Sequence, residues 1–154
     1  MPRVGLTFRT PKRFETVSWF GRGPFESYSD RKSAAFFGKW KRPIMDLFFP
    51  YVHPQESGNR SDVQWFELHG GSGDGMRVES ASLFDFNVTE FAIEDMIGHR
   101  HPADLTPTKD WIVHVDYGQM GLAGETSWGA QPWPEHCLPA DRDYVYSFSM
   151  RPCR

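Results

Sequence analysis

The residues of this 154-residue chain best able to do chemistry are its carboxylates, its six histidines and its two cysteines. Cleavage of a glycosidic bond needs two acids converging at about 5–5.5 Å for retention or about 6.5–9.5 Å for inversion. Glu56, Glu67, Asp116 and Glu125 are available, but nothing in their spacing brings two of them together, so no catalytic pair is expected. A zinc site wants three or four ligands at locked spacing. His99, His101 and His114, with Asp95 and Asp104 nearby, do not supply that pattern, and hydrogen-bonded structural histidines are the expected reading. Ser127 lies in Thr-Ser-Trp-Gly rather than in a Gly-x-Ser-x-Gly elbow. Cys137 has His136 beside it, but adjacent residues of an extended segment point to opposite faces. The sequence therefore assigns no catalytic residue and no metal ligand.

A different signal comes from residues 119–135, QMGLAGETSWGAQPWPE, where Trp128 and Trp133 sit among glycines and prolines. Glycine and proline end regular structure, so this is a loop. An indole there is badly placed to fill a core and well placed to offer a flat apolar face to a docking molecule. Sugars present C–H faces that pack on indole and hydroxyls that need polar partners at the rim. Glu125, Thr126, Ser127 and Gln131 around Trp128 have that composition. Two roles stay open on composition alone: sugar stacking, or the commoner fate of plugging a small satellite cluster under a long loop. Trp133, between prolines, reads as structural.

The elements that must position this loop are strands. Aromatics reach 16%, with 14 Gly and 12 Pro, which together suggest an all-β domain with many turns. Alternation predicts strands over residues 3–10, 16–20, 48–53, 62–69, 76–80, 83–88, 111–117 and 144–150. Strand 16–20 should stop hard at Gly21-Arg-Gly-Pro24. Residues 31–40 could hold one or two helical turns with Asp30 as cap, and Thr89 is an N-cap candidate for a helix reaching Ile97. Residues 70–75 form a hairpin tip. The sum is antiparallel β, a sandwich or part of one, with one or two short helices.

Length fits one domain over residues 1–154. Charged residues are 24%, net charge is −3, and both signs are scattered. This argues against nucleic acid or an anionic membrane surface as partner, since either needs a concentrated basic footprint. No apolar run approaches the roughly 18 residues of a membrane span. The N-terminus has no signal-type apolar region, and a cytoplasmic location is expected over a periplasmic one. Cys137 and Cys153 allow one bridge but no disulfide framework.

Two segments carry a family resemblance. Trp19-Phe-Gly-Arg-Gly-Pro-Phe-Glu-Ser-Tyr-Ser-Asp-Arg31 resembles the W-x-G-x-G-P-x-E-x-Y-x-D-R segment near the C-terminus of family 2 β-galactosidases. Tyr51-Val-His-Pro-Gln-Glu-Ser-Gly-Asn-Arg-Ser-Asp-Val-Gln-Trp65 is similar to that family's Y-V-x-P-Q-E-x-G-N-R-x-D-V-R-W. His99-Arg-His101, Asp116-Tyr-Gly-Gln-Met-Gly121 and Ser127-Trp128-Gly129 follow in register. Gln64 stands where the family usually has arginine and Ser57 where asparagine is common; both bear on local hydrogen bonds rather than on function.

The resemblance implies the second half of the small-chain domain of that enzyme, an antiparallel β-supersandwich related to galactose mutarotase. It implies that the chemistry, retaining hydrolysis of terminal β-D-galactosides such as lactose, belongs to carboxylates of a (β/α)8 barrel absent from this chain, together with the magnesium and sodium ions expected there. By the same resemblance Trp128 lines the platform for the glucose or other aglycone, the partner is the catalytic barrel domain or large subunit, and the whole enzyme is an oligomer. The chain alone is then expected to be inactive. With part of the sandwich missing, open strand edges and an uncovered apolar face are expected. The alternatives are a free-standing carbohydrate-binding module and a purely structural β-sandwich piece.

Overall fold

The structure is a computed structural model that describes residues 1–154 except Glu125 and Ser127. It is all-β and antiparallel. Strands β1 (Arg3–Pro11), β2 (Phe14–Gly23), β3 (Phe36–Pro43), β4 (Arg60–Gly70), β5 (Gly75–Thr89), β6 (Asp110–Gln119) and β7 (Ser149–Cys153) form one sheet. Their order is β1-β6-β5-β4-β2-β3, and β7 pairs β5. The helix α1 (Ile93–Gly98) is short, and 3-10 turns occur at Ile44–Asp46, Pro102–Asp104 and Pro134–His136.

Connectivity forces this sheet to fold on itself. Strands β1 and β2 stand four strand steps apart, at least about 19 Å on a flat sheet at about 4.8 Å per step. Only Lys12 and Arg13 join them, and the three Cα–Cα steps reach no more than about 11 Å. The sheet must roll, and Trp111 closes the roll by donating Nε1–H to the Phe14 carbonyl at 2.8 Å. Lys12 Nζ lies 5.1 Å from the same indole's centroid.

The bend falls within β5. Residues 63 to 65 of β4 are matched against 84 to 79 of β5, so extra residues bulge between Glu79 and Phe84. Beyond the bulge, residues 85–89 pair β6 and residues 75–79 pair β7. Alternation predicts two strands, 76–80 and 83–88; they are the two halves of β5 on either side of this bulge. The rolled sheet encloses an apolar core that includes Val17, Trp19, Phe66, Phe86, Val113 and Val115. Phe66 and Phe86 stack with centroids 4.5 Å apart.

Several elements differ from the sequence expectation. Strand β2 runs through Gly21 and Gly23 because neither position has room for a side chain. A Cβ would stand 2.7 Å from Val63 Cα at Gly21 and 2.7 Å from Trp40 Cδ1 at Gly23. These glycines allow close packing rather than a turn. Residues 36–43 are strand, not helix, and the Asp30 side chain caps no helix. Residues 48–53 carry no strand, and the last strand begins at Ser149 rather than at residue 144. Helix α1 starts at Ile93 with Ala92 as N-cap; Thr89 instead accepts the Phe91 amide on its Oγ1 at 3.1 Å. In β4 a register shift between Val63 and Trp65 changes the phase of alternation, and Val63, Phe66 and Leu68 join the core. Strand β3 pairs only β2 among the described residues and leaves Phe36 72% exposed.

Among the described residues no helix is long and apolar enough to cross a membrane. Cys137 and Cys153 are free thiols.

Candidate functional site: a buried polar layer and the tryptophan loop

The sheet centre is buried on both faces. Alternation in β5 and β6 sends Phe84, Phe86, Val88, Trp111, Val113 and Val115 into the core. The residues between them, including Asp85, Asn87, His114 and Asp116, line the other face and are also buried. Register sets them in two rows, Thr7 opposite His114 opposite Asn87, and Gly5 opposite Asp116 opposite Asp85. Gly5 is required there, since a Cβ would stand 2.0 Å from Asp116 Oδ1.

Arg3 ties the layer together. Its guanidinium donates to Glu56 Oε1 at 2.9 Å, to Gln119 Oε1 at 3.1 Å and to His114 Nδ1 at 3.0 Å. Its Nε lies 2.8 Å from Asp116 Oδ2, close enough for an ion pair but too poorly aligned for a hydrogen bond, so both atoms lack one. Arginine can only donate, so His114 Nδ1 is an acceptor, and the Thr7 hydroxyl donates to it at 2.9 Å. Burial and the neighbouring Arg3 cation hold this imidazole neutral, its pKa lowered to about 3. Burial raises Asp116 to about 8 against the pull of Arg3, with Asp85 and Glu56 adding to the rise. Burial likewise raises Asp85 to about 7, opposed by its hydrogen bond from Asn59. Burial thus pushes both carboxyls of the Asp85–Asp116 row toward the protonated form, while Arg3 pulls Asp116 back toward the charged one.

Sequence spacing does not bring two of the candidate acids together. The structure brings Glu56 and Asp116 to one guanidinium, but in a setting unsuited to hydrolysis. Asp116 is fully buried and Asp85 nearly so, and no sugar can reach between them. Glu67 lies elsewhere, paired with Arg77 at 2.6 Å. Among the described residues no three His, Cys, Asp or Glu side chains converge on a metal position. His99 donates its Nδ1–H to the Asp95 carbonyl at 2.7 Å, while His114 belongs to the polar layer. Glu125 and Ser127 lie outside the described residues.

The two long motifs interlock over this layer. Glu26 accepts the Gly58 amide at 2.8 Å and the Tyr51 hydroxyl, and Arg31 pairs with it at 3.2 Å. The Ser27 amide donates to the Asn59 carbonyl at 2.8 Å, and Asn59 Nδ2 returns to the Ser27 carbonyl at 2.9 Å. Of the two departures, Ser57 is buried and accepts the Phe49 amide at 3.1 Å, and Gln64 is exposed.

From the end of β6 the chain leaves as the tryptophan loop. The Gly121 amide donates to the His136 carbonyl at 2.8 Å and closes residues 121–136 into a loop of the Ω type. Trp128 stands midway between these ends and is 93% exposed; the Thr126 hydroxyl accepts its amide at 3.3 Å. Gln131 is exposed nearby. Packing over a satellite cluster, the other role composition allows, does not fit an indole this bare. Trp133 is 61% exposed, so its structural part is confined to its backbone, whose carbonyl accepts the His136 amide at 2.8 Å. At the root of the loop, a cavity of about 190 Å³ is bordered by Lys32, Asp62, Asp85, Tyr117, Gln119 and His136.

Together these features define an all-β, antiparallel domain with a buried row of ionisable groups at its sheet centre and a bare indole on a closed loop. The sequence matches the family described as beta galactosidase small chain over residues 1–150, and the chain belongs to that family. It is 32% identical to the beta-galactosidase of Priestia megaterium over 99% of this chain and 15% of that protein. It is also 34% identical to the beta-galactosidase of Pseudoalteromonas haloplanktis, over 97% of this chain and 14% of that protein. The chain thus spans about 15% of the length of the curated relatives it matches.

Proposed function

We propose that this chain supplies one wall of the aglycone subsite of a retaining β-galactosidase whose catalytic carboxylates, with their magnesium and sodium ions, lie in a separate barrel domain or large subunit. Trp128 is the residue that carries the role. It stacks on the glucose of lactose, or on another leaving group or acceptor, and so tilts the balance between hydrolysis and transfer of the galactosyl intermediate. The observation that supports this reading is the 93% exposure of Trp128. An indole left in water at the tip of a closed loop gives up apolar burial that a folded domain ordinarily uses, and contact with a ligand or partner recovers it.

On this reading the chain by itself is expected to be inactive, with Asp85 and Asp116 buried beneath the interlocked motifs and Glu67 paired with Arg77 elsewhere. The test is Trp128→Leu in the enzyme assembled with its catalytic part. Acceptor affinity for glucose should fall by about tenfold, corresponding to about 1.4 kcal/mol, with the galactosyl-transfer step to water preserved. Unchanged acceptor affinity would sink the proposal. Calorimetry of the isolated chain with lactose should register no heat, since one indole without a facing wall provides little affinity; clear binding would instead mark a free-standing carbohydrate-binding module.

A further inference from the structure

We propose that Asp30 is the positioning residue for Trp128: its carboxylate clamps the root of the tryptophan loop and sets where the indole stands. The inference rests on the reading that Trp128 meets the sugar, but its structural part is testable without it.

Asp30 is itself held firmly. It occupies a tight turn in which the Tyr28 amide donates to the Arg31 carbonyl at 3.1 Å and the Arg31 amide to the Tyr28 carbonyl at 2.9 Å. Tyr28 is fully buried, so the turn is anchored to the body of the domain. From this turn Asp30 Oδ2 accepts the Ala123 amide at 2.7 Å, across 93 residues of sequence. An ionised carboxylate on a backbone amide is among the stronger hydrogen bonds available to a loop.

The loop backbone is shaped to receive it. Gly121 lies so close that a Cβ would stand 2.4 Å from Asp30 Oδ2 and 2.9 Å from His136 Cβ. Ala123 is held at φ 58° and Gly124 at φ 98°. The left-handed region disfavours an alanine, so this residue keeps its conformation only while something fixes it. The carboxylate does so on one side, and the Gly121–His136 hydrogen bond on the other. The chain therefore leaves the root in a fixed direction five residues before Trp128. Among the described residues of the tip, Trp128 is held by its amide, which donates to the Thr126 hydroxyl. Asp30 thereby sets the direction in which the chain leaves the root.

The experiment compares Asp30→Ala and Asp30→Asn. In the full chain, hydrogen exchange at the Ala123 amide should accelerate about tenfold to hundredfold in Asp30→Ala, the worth of a charge-assisted hydrogen bond. Asp30→Asn keeps an acceptor oxygen and should restore most of the protection. Unchanged exchange in Asp30→Ala would overturn the clamp. If Asp30→Ala does not fold, Gly121→Ala replaces it: its new methyl group must displace the carboxylate, and retained protection at Ala123 would again overturn the proposal. In the assembled β-galactosidase, acceptor affinity should fall in Asp30→Ala and recover in Asp30→Asn, which a general loss of stability would not produce. Affinity that is equal in all three proteins, while Trp128→Leu lowers it, would defeat the positioning role. If Trp128→Leu also leaves affinity unchanged, the sugar-stacking reading has failed, and the exchange data still decide the clamp.

Discussion

The polar layer and the tryptophan loop are opposites. The layer holds groups suited to acid–base chemistry out of reach of solvent, with Asp85, His114 and Asp116 buried and Arg3, Glu56 and Gln119 bonded around them. The loop tip presents an indole, which can neither give nor take a proton at neutral pH, and presents it almost bare. Chemistry without access sits a short way from access without chemistry. Ionisable groups in the layer are committed to joining β1, β5, β6 and the 51–65 segment, and accessible apolar surface remains at the loop. Such a division suits a domain that shapes a site completed elsewhere.

The contrast predicts opposite responses to mutation. The largest effect is expected from Arg3→Met, which leaves Asp116 and Glu56 without their shared cation. Glu56, Gln119 and His114 then lose the donor they share; a hydrogen bond to a charged group is worth about 1.5–3 kcal/mol, and denaturant unfolding of the full chain should register a loss of at least that order. A loss below about 1 kcal/mol, the range of a surface pair, would mean the layer is not held by Arg3. Gly21→Ala should come next: its Cβ meets the Val63 backbone at 2.7 Å, and overpacking of this kind costs about 1–3 kcal/mol.

The pH dependence follows from the acidic row. Asp85 and Asp116 have native pKa values raised to about 7 and about 8, above the unfolded value. The native state therefore binds more protons than the unfolded state, and this contribution to stability is full below about pH 4 and lost as pH rises through about 7 to 8. His114 acts in the other direction: its lowered pKa of about 3 makes its contribution full above about pH 6.5 and lost as pH falls toward 3. Asp85→Asn should flatten the decline between pH 5 and pH 8 in thermal unfolding; an unaltered slope would show that Asp85 ionises freely in the native state. The smallest stability effect belongs to Trp128→Leu, within about 0.5 kcal/mol, as for an exposed side chain. A larger loss would place the indole in the packing of the domain and end the contrast.

Much of this was legible in the sequence where local rules govern. Strands β1, β4 and β6 lie where alternating side chains predict them, and residues 70–75 carry the glycines of a hairpin tip. The bulge in β5 shows as a break between two alternating runs. The errors have a common cause. Gly21 and Gly23 read as a stop because a glycine's local meaning is a turn, yet here they admit Val63 and Trp40 from other strands. Residues 36–40 read as helix because nothing in them announces that β2 lies alongside. Asp30 reads as a helix cap because a carboxylate before a polar run usually serves a nearby amide; its actual partner is Ala123. At Trp128, composition leaves packing and binding both open, and exposure decides against packing.

The sequence alone determined the all-β class, the family, the loop and the indole in it, because alternation, Gly/Pro punctuation and shared motifs are properties of neighbouring residues. The tertiary structure decided which charges are sealed and which surface stays open. Arg3, Glu56, His114, Asp85 and Asp116 come from distant positions, and only the roll of the sheet and its register place them together in low dielectric, where burial rather than residue type sets their protonation. The same roll brings Asp30 to Ala123, a contact whose strength is chemical but whose existence is purely topological.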